Sequence, residues 1–252
     1  MINTFFNLPF EIKKSYARKD AYSAGYVEPS KEILKQSDNV KELRESFDII
    51  GNFDGFIPNE IEKFERSLLK MIEMGSDFFS KFLRCLEIGL NLPFGTLQDM
   101  HAKIYSDSNM STLRLIHYPP IPFEIPENCV RCGEHTDYGT ITILFQDNMG
   151  GLEVKNRNNE WVQAHPVPGA LLVNVGDMLQ KFTSGRLRAT PHRVLIPEEE
   201  RRKRCPRKSV VFFLVPDNDV ILKPFEEPKD ETKSYETSHD YLYSRLISTF
   251  NF

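Results

Sequence analysis

Short stretches of β-branched and aromatic residues, separated by turn-forming residues, occupy the middle of the chain from Thr112 to Val215. Two of the clearest are residues 140–146 and residues 210–215, which are rich in valine, isoleucine, threonine and phenylalanine. These residue types favour extended backbone, while the glycine, proline and asparagine between the stretches favour turns. Short strands at regular spacing are typical of an all-β sandwich or barrel. The pattern therefore predicts a β core over residues 112–216.

A long amphipathic helix is predicted before this core. Apolar residues recur at helical spacing over most of 30 residues after Pro58. Asn59 is suited to cap the helix, with Glu62 in the capping-box position, and Gly89 is expected to end it. We interpret the apolar face as core packing that backs the sheet, and not as a cofactor site. Its members are Ile61, Phe64, Leu68, Met71, Phe78, Phe82 and Leu86.

The remaining segments predict helices and loops around the core. Residues 1–19 read as helical, residues 20–58 as loop-rich, and residues 96–110 as a helix and a polar turn, with His101 structural or exposed. The tail from Ser234 has apolar and aromatic residues at helical spacing. These patterns predict a mainly β fold with flanking helices around a double-stranded β-helix (jelly roll) core. We expect one domain over residues 1–252, made of a helical and loop N-terminal part (1–111), the jelly-roll core (112–216) and a helical tail (230–252).

Composition narrows the classes of protein to consider. The chain has a net charge of −4 and a pI of about 5.9, which gives no indication of a nucleic-acid surface. It contains no apolar run long enough for a membrane helix, and its first residues lack a signal-peptide pattern. Four cysteines in a chain of this length do not suggest a disulfide framework. We therefore expect a cytoplasmic protein with neither a nucleic-acid nor a membrane partner.

The segment His135-Thr136-Asp137 is the first candidate for chemistry. If it lies at the extended start of the strand over residues 140–146, His135 and Asp137 face the same side and can reach one ion. His192 would come from a different strand of the barrel. Two imidazoles and one carboxylate form the facial triad of non-haem Fe(II) oxygenases, which leaves open positions on the metal. A His-x-acid pair alone arises by chance in many chains, so the interpretation depends on its context.

That context is an Arg-x-Ser pair after His192. Arg207 and Ser209 begin another apolar strand and share a face with Val211 and Phe213. A buried arginine needs an anion, and its planar fork fits a carboxylate, to which the serine hydroxyl can add a hydrogen bond. The alternative is that Arg207 belongs to a solvated basic run. The spacing favours a site that holds the far end of a dicarboxylate whose near end binds iron.

A Cys-x-x-Cys pair offers a competing metal site. Cys129 and Cys132 lie shortly before His135 and could contribute to a structural zinc site or a redox pair. Structural zinc usually needs two close pairs of ligands, whereas Cys85 and Cys205 are isolated. We therefore interpret the four cysteines as reduced thiols.

An ordered series of motifs runs through the second half of the chain. The motifs are His-Thr-Asp-Tyr-Gly-Thr-Ile-Thr-Ile-Leu-Phe-Gln-Asp from residue 135, Gly-Gly-Leu-Glu-Val from 150, Trp-Val-Gln-Ala-His-Pro-Val-Pro-Gly-Ala from 161, Val-Asn-Val-Gly-Asp-Met from 173 and Pro-His-Arg-Val from 191. They resemble the isopenicillin N synthase-like branch of the Fe(II)/2-oxoglutarate-dependent dioxygenases, and the resemblance covers nearly the whole chain. It implies that His135, Asp137 and His192 bind the iron and that Arg207 and Ser209 hold the distal carboxylate of 2-oxoglutarate.

The resemblance also implies roles and departures outside the motifs. Tyr118 matches a tyrosine that hydrogen-bonds the co-substrate in many members, but Ile116 stands where the plant-type pattern has asparagine. Phe213 is a candidate for the substrate pocket. The strand and helix that precede residue 1 in the family are missing, so the chain resembles a form shortened at its N-terminus. The C-terminal helix either covers the mouth of the active site, as in the family, or packs on the outside of the barrel.

Three functions are compatible with these motifs. The first is a dioxygenase that uses Fe(II), O2 and 2-oxoglutarate to oxidise, by expectation hydroxylate, a small organic substrate with release of succinate and carbon dioxide. The second is an Fe(II) oxidase of the same fold that does not use 2-oxoglutarate, since such relatives also retain the Arg-x-Ser pair. The third is a truncated, inactive binding or regulatory protein. The intact triad favours the two enzyme classes.

Overall fold

The computed structural model describes residues 2–20, 22–34, 41–51, 57–121, 129–199, 203–226 and 233–250. The predicted jelly roll is confirmed, because two antiparallel sheets enclose a common cavity. The strands are β1 (Gly25–Val27), β2 (Lys41–Glu42), β3 (Glu45–Ile50), β4 (Thr112–Tyr118), β5 (Cys129–Val130), β6 (Cys132–His135), β7 (Ile141–Gln146), β8 (Leu152–Lys155), β9 (Trp161–Gln163), β10 (Leu172–Val175), β11 (His192–Val194) and β12 (Arg207–Leu214). The helices are α1 (Ile2–Phe6), α2 (Phe10–Ser15), α3 (Phe64–Leu90), α4 (Thr96–Asp99), α5 (Asp177–Phe182) and α6 (Ser238–Thr249).

The larger sheet has the strand order β1-β3-β4-β12-β7-β10, and the smaller sheet has the order β6-β11-β8-β9. Neighbouring strands are antiparallel throughout both sheets, whereas β2 and β5 form a separate parallel pair. Strands that follow each other in the chain, such as β6 and β7, lie in different sheets. The chain therefore crosses repeatedly from one sheet to the other, as a jelly roll requires.

Helix α3 covers the outer face of the larger sheet. Side chains alternate between the two faces of each strand, so one face of the sheet can be wholly apolar. On the outer face Leu113, Leu115, Ile143, Phe212 and Leu214 are all fully or almost fully buried. The helix supplies the other half of this core with Phe64, Leu68, Phe79 and Leu83. The predicted role of the long helix as a scaffold behind the sheet is confirmed.

The bounds of α3 differ from the prediction. The helix begins at Phe64, not at Asn59, and the backbone N–H of Asn59 is instead bonded to the Tyr16 hydroxyl at 3.2 Å. The helix also passes through Gly89 and ends at Leu90, where Asn91 takes the left-handed conformation with φ 55°. Asparagine tolerates this conformation better than most residues, so it can close a helix in place of glycine.

The N-terminal part was expected to contain only helix and loop, but it also contributes strands. Strand β3 lies inside the larger sheet, between β1 and β4. Its sequence alternates between polar and apolar residues from Ser46 to Ile49, but the polar positions Ser46 and Asp48 are buried and not exposed to solvent. The arginine partners of Asp48, which make this burial possible, come from distant segments.

Two smaller predictions are resolved by packing. His101 is buried and structural, with Nδ1 at 2.6 Å from the Leu97 carbonyl and Nε2 at 2.8 Å from the Thr140 hydroxyl. Helix α6 forms as the spacing predicted, and its Leu242 and Leu246 line the central cavity, which supports the position over the mouth. None of the helices in the described ranges is both long and apolar enough to span a membrane.

Candidate active site

His135, Asp137 and His192 converge in the central cavity. His135 ends β6, and His192 begins β11 directly opposite it. The Oδ1 atom of Asp137 lies 3.9 Å from His135 Nε2 and 3.7 Å from His192 Nε2. One potential ligand atom from each residue lies within 4.8 Å of the others, and no second such group occurs among the described residues. The predicted constellation is therefore brought together.

The local backbone differs from the predicted one. His135 and Asp137 do not stand at the start of the strand over residues 140–146. Instead His135 closes β6 in the smaller sheet, and Asp137 lies in the connection that carries the chain to β7 in the larger sheet. The two side chains reach one point because this connection turns the chain at the edge of the cavity, and not because they alternate along a single strand.

Backbone carbonyl groups orient both imidazole rings. His135 Nδ1 lies 2.8 Å from the Gly133 carbonyl oxygen, and His192 Nδ1 lies 3.0 Å from that of Thr190. A carbonyl oxygen can only accept, so each Nδ1 carries the proton and each Nε2 keeps a free lone pair. Burial lowers the pKa of His192, and the neighbouring His135 lowers it further, which favours the neutral ring. Both Nε2 atoms are thus prepared as metal ligands.

Asn174 fixes the carboxylate between the two rings. Its side-chain amide, on β10, donates to Asp137 Oδ2 at 2.6 Å, which leaves Oδ1 facing the histidines. Burial alone would raise the pKa of Asp137, but His192, His135 and the bond from Asn174 outweigh it and lower that pKa. The carboxylate is therefore ionised and held in one orientation. The sequence singled out the motif that contains Asn174 but assigned this residue no role.

Two glycines allow the backbone around Asp137 to pack closely. A Cβ atom at Gly139 would lie 2.3 Å from the Leu214 carbonyl oxygen, and one at Gly176 would lie 2.2 Å from the Gly139 oxygen. Both distances are far below van der Waals contact. The same region is tied by a hydrogen bond from the Asp177 N–H to the Asp137 carbonyl at 2.7 Å. The position of Asp137 therefore rests on direct contact between backbone segments.

Arg207 and Ser209 lie on the inner face of β12, and both are buried. The Arg207 guanidinium donates to the Gly150 carbonyl at 2.9 Å and to Gln146 Oε1 at 3.2 Å, and Nη1 lies 3.5 Å from the Ser209 hydroxyl. No carboxylate among the described residues forms an ion pair with it. A buried arginine held only by neutral groups retains unmatched positive charge, which suits an anionic ligand.

Tyr118 and Ile116 lie on β4, directly opposite Arg207 and Ser209 respectively. The Arg207 guanidinium lies 4.9 Å from the centre of the Tyr118 ring. The described residues provide no hydrogen-bond partner for the Tyr118 hydroxyl. Ile116 also lines the cavity, so an apolar surface stands where the plant-type pattern has an amide.

Phe213 also faces the cavity and lies in a row that leads to the group of His135, Asp137 and His192. It is opposite Thr112 on one side and Thr142 on the other, and Thr142 is opposite Asn174, which holds Asp137. The cavity encloses about 1210 Å³ of space between protein atoms, counting its open mouth. Phe213 therefore lines the cavity in the same cross-strand row as the residues that hold Asp137.

A buried network of ion pairs forms another wall of the cavity. Arg114 donates to both oxygens of Asp48 at 2.7 Å and to both oxygens of Glu32 at 2.9–3.0 Å. Arg18 donates to Asp48 at 2.7 Å, and Arg44 pairs with Glu32 at 2.9 Å. Burial would raise the pKa of Glu32, but Arg114 and Arg44 outweigh it and hold that pKa at about 2. The sequence signs of this wall are two charged residues between apolar neighbours, Asp48 in β3 and Arg114 in β4.

The cysteines do not form the alternative metal site. All four are free thiols. Cys132 Sγ lies 3.9 Å from His135 Nδ1, but burial raises the pKa of the Cys132 thiol far above its usual range. No group of potential metal ligands among the described residues includes a cysteine. The interpretation as reduced thiols therefore fits the structure, and His135 contributes to the other site.

Comparisons with known proteins agree with this geometry. Residues 109–216 match the 2OG-Fe(II) oxygenase superfamily. The chain is 34% identical to the 2-oxoglutarate-dependent dioxygenase htyE of Aspergillus rugulosus, over 77% of this chain and 61% of that protein. It is 33% identical to the proline hydroxylase buaE of Petromyces alliaceus, over 98% of this chain and 82% of the relative.

A solved structure is similar over almost the whole chain. A full-length Neurospora crassa protein, crystallised in complex with alpha-KG and thymine, superposes with a TM-score of 0.82 at 28% identity, covering 98% of this chain and 81% of that protein. The chain thus spans between about three fifths and four fifths of the length of these relatives. The sequence likeness, the shared fold and the converging His-Asp-His group lead to one conclusion: the chain belongs to the 2OG-Fe(II) oxygenase superfamily, a family of 2-oxoglutarate-dependent dioxygenases.

Proposed function

We propose that this chain is a non-haem Fe(II)/2-oxoglutarate-dependent dioxygenase that oxidises, and by expectation hydroxylates, a small organic molecule. The observation that carries the proposal is the convergence of His135, Asp137 and His192 in a cavity that also contains a buried arginine without an acidic partner. Bound iron and 2-oxoglutarate together supply the activation of dioxygen, with succinate and carbon dioxide released.

The donor set fits Fe(II). His135, Asp137 and His192 would hold the ion with two neutral nitrogens and one carboxylate oxygen, the combination typical of such oxygenases. Their orientation is set before any ion binds, because Gly133, Thr190 and Asn174 occupy the other polar atom of each side chain. The protein contributes this preorganisation and the surrounding apolar wall, which limits access of water to the site.

The region around Arg207 fits the distal carboxylate of 2-oxoglutarate. We assign to Arg207 and Ser209 the binding of that carboxylate, with an additional hydrogen bond from Tyr118. The support is that Arg207 is buried without an acid, and that Ser209 and Tyr118 lie beside it with hydroxyls available to the same ligand. Ile116 removes one polar contact of the plant-type site but leaves the arginine fork intact.

The substrate would occupy the part of the cavity next to Phe213. The proline hydroxylase buaE and the thymine complex of the Neurospora crassa protein indicate small polar molecules as a class for testing. A Phe213→Ala variant is expected to change both the affinity for substrate and its turnover. Unchanged values for both would remove Phe213 from the pocket.

We also propose the domain organisation, the cellular location and the partners of the enzyme. We treat residues 1–252 as a single domain, since one buried cluster connects Phe5 in α1 with Leu214 in β12. The four free thiols support a reducing compartment, so a cytoplasmic location remains our expectation. The partners proposed are O2 and a small-molecule substrate, with no nucleic acid.

An anaerobic titration tests this function. Purified protein would be titrated with Fe(II), with and without 2-oxoglutarate, while the visible charge-transfer band of the chelate is recorded. We expect a saturable band for the wild type and none for His135→Ala. Iron binding without a band would point to an Fe(II) oxidase that does not use 2-oxoglutarate. Folded protein that binds neither would contradict the enzyme assignment and favour a binding or regulatory role.

A further inference from the structure

Arg131 is a buried arginine that has no assigned role in the proposed active site. It lies in the bend between β5 and β6 and has no solvent exposure. Its Nη2 donates to the Cys205 carbonyl at 3.3 Å. Its Nε and Nη1 are buried and have no hydrogen-bond partner in the part of the chain that the structure describes. Buried guanidinium nitrogens are rarely left unpaired, because each costs the free energy of its lost hydration.

The side chain lies near the proposed co-substrate residues. Cys205, to which it is bonded, is two residues before Arg207 in the chain. Burial lowers the pKa of Arg131, and the charge of Arg207 lowers it further, while Tyr118 and Asp147 act in the opposite direction. Arg131 does not line the cavity itself. Two buried guanidinium groups therefore lie close together at the same end of the site.

No carboxylate among the described residues forms an ion pair with Arg131 or Arg207. Asp147 is the nearby acid, but its Oδ2 accepts the Lys208 N–H at 2.6 Å and its Oδ1 accepts the Met149 N–H at 3.0 Å. Arginine stays protonated in proteins, so it cannot escape the cost of burial by losing its proton. The positive charges of Arg131 and Arg207 also repel each other. An anion bound at Arg207 would lower both the cost of burying these charges and the repulsion between them.

We propose that Arg131 is a second cationic residue for the distal carboxylate of 2-oxoglutarate, acting from behind Arg207 to position the co-substrate. It would make the site selective for 2-oxo acids that carry a second carboxylate. This inference rests on the proposed function, because it concerns the same co-substrate. The competing role is structural: Arg131 would only anchor the Cys205 carbonyl.

Calorimetric titration of protein loaded with Mn(II) under anaerobic conditions separates the two roles. The ligands are 2-oxoglutarate and 2-oxobutyrate, which lacks the distal carboxylate. Arg131→Gln removes the charge and retains a donor for the Cys205 carbonyl, whereas Arg131→Lys retains the charge. Arg186→Met is a matched control, because Arg186 is half exposed and pairs with Glu226 on the surface.

We expect Arg131→Gln to weaken 2-oxoglutarate binding by about 3-fold to 10-fold, because its charge acts on the carboxylate through space, from behind Arg207, and not through a direct contact. Its binding of 2-oxobutyrate should remain within about twofold of the wild type, by the same reasoning on the missing carboxylate. Arg131→Lys should recover most of the affinity for 2-oxoglutarate, and Arg186→Met should change neither ligand. The thermal unfolding temperature of the metal-free Arg131→Gln protein should be no lower than that of the wild type, because a buried unpaired charge has been removed.

Equal losses for both acids, or no loss for either, would overturn the inference and leave Arg131 as a structural anchor. If Arg131→Gln does not fold, Arg131→Met takes its place, and failure of both neutral variants to fold would also establish the structural role. Wild-type protein that binds neither acid would contradict the proposed function itself. Wild-type binding with unaffected variants would contradict only the role of Arg131.

Discussion

The two faces of the larger sheet use the same strands for opposite purposes. On β12 the outward residues Phe212 and Leu214 are buried against α3, whereas the inward residues Arg207 and Ser209 face the cavity. The outer face is apolar except for a row of Glu45, His117 and Lys208 at one end, whereas the inner face carries charge, hydroxyls and amides. Because the alternation has a period of two, adjacent residues can be changed separately, one for stability and one for chemistry. Substitutions of neighbouring residues on one strand should therefore affect either the stability of the fold or the chemistry of the cavity.

The largest expected effect on the cavity side comes from His192→Ala. It removes one of the three proposed ligands, so we expect saturable Fe(II) binding and oxygenase activity to be lost. The metal-free protein should unfold at an unchanged or slightly higher temperature, since a buried imidazole near His135 and Asp137 is removed. Anaerobic metal titration measures the binding of Fe(II), and thermal unfolding of the same sample measures the stability of the metal-free protein. Tight Fe(II) binding by the variant would contradict the proposed ligand set.

Phe212→Ala should give the largest effect on the outer face. Its ring is buried against α3, and its loss should lower the free energy of unfolding by about 3–5 kcal/mol. Phe213→Ala is the matched control, because the next ring faces the cavity and is only half buried. We expect this variant to lose much less stability and to alter substrate binding instead. Denaturant unfolding of both proteins measures the difference, and equal losses would break the contrast between the faces.

A smaller effect is expected from Asn174→Ala, which removes the amide that donates to Asp137 Oδ2. Removal of a group that orients a metal ligand typically weakens metal binding by about 10-fold to 100-fold. The affinity of the metal-free protein for Fe(II) or Mn(II) measures this, with Asn158→Ala in an exposed turn as the control. Unchanged affinity would show that the backbone and the hydrogen bond from Thr142 position Asp137 without Asn174.

Ser209→Ala should have the smallest effect. It removes one neutral hydroxyl near Arg207, so we expect the KM for 2-oxoglutarate to rise by about 3-fold to 10-fold, as loss of one hydrogen bond does. The turnover number at saturating 2-oxoglutarate should remain unchanged, because the three proposed iron ligands are intact. Steady-state kinetics with varied 2-oxoglutarate checks this, and a fall in turnover number without a change in KM would place Ser209 elsewhere.

The sequence predicted the jelly roll and the converging triad because both follow from local patterns. The strands around Ile143 and Phe212 show β-branched and aromatic runs, and the triad residues occur in an ordered series of motifs. Their spatial meeting was expected, although His135 and Asp137 were assigned to the wrong strand. Local sequence pattern predicts whether a segment forms a helix or a strand. It does not predict the path that the chain takes between these elements.

The missed features depend on partners far away in the chain. Strand β3 was hidden because Asp48 is buried by virtue of Arg18 and Arg114, which lie 30 and 66 residues away. The helix start was misplaced because Phe64 begins α3 without a side-chain cap. The role of Arg131 could not be inferred from its neighbours in sequence, since its burial becomes apparent only in the folded chain. Long-range ion pairs and buried charges are thus the part that local pattern leaves out.

The backbone contact at Gly139 and Gly176 has a consequence for how this protein can evolve. Neither position accepts a side chain without moving the segment that carries Asp137. The lining around Phe213 and Ile116, in contrast, consists of side chains that can be exchanged one at a time. Random mutagenesis with selection should therefore find new substrate preferences readily. Single substitutions at the two glycines, in contrast, should disrupt the arrangement of the proposed metal ligands. The chain would diversify in what it oxidises and remain fixed in how it holds its metal.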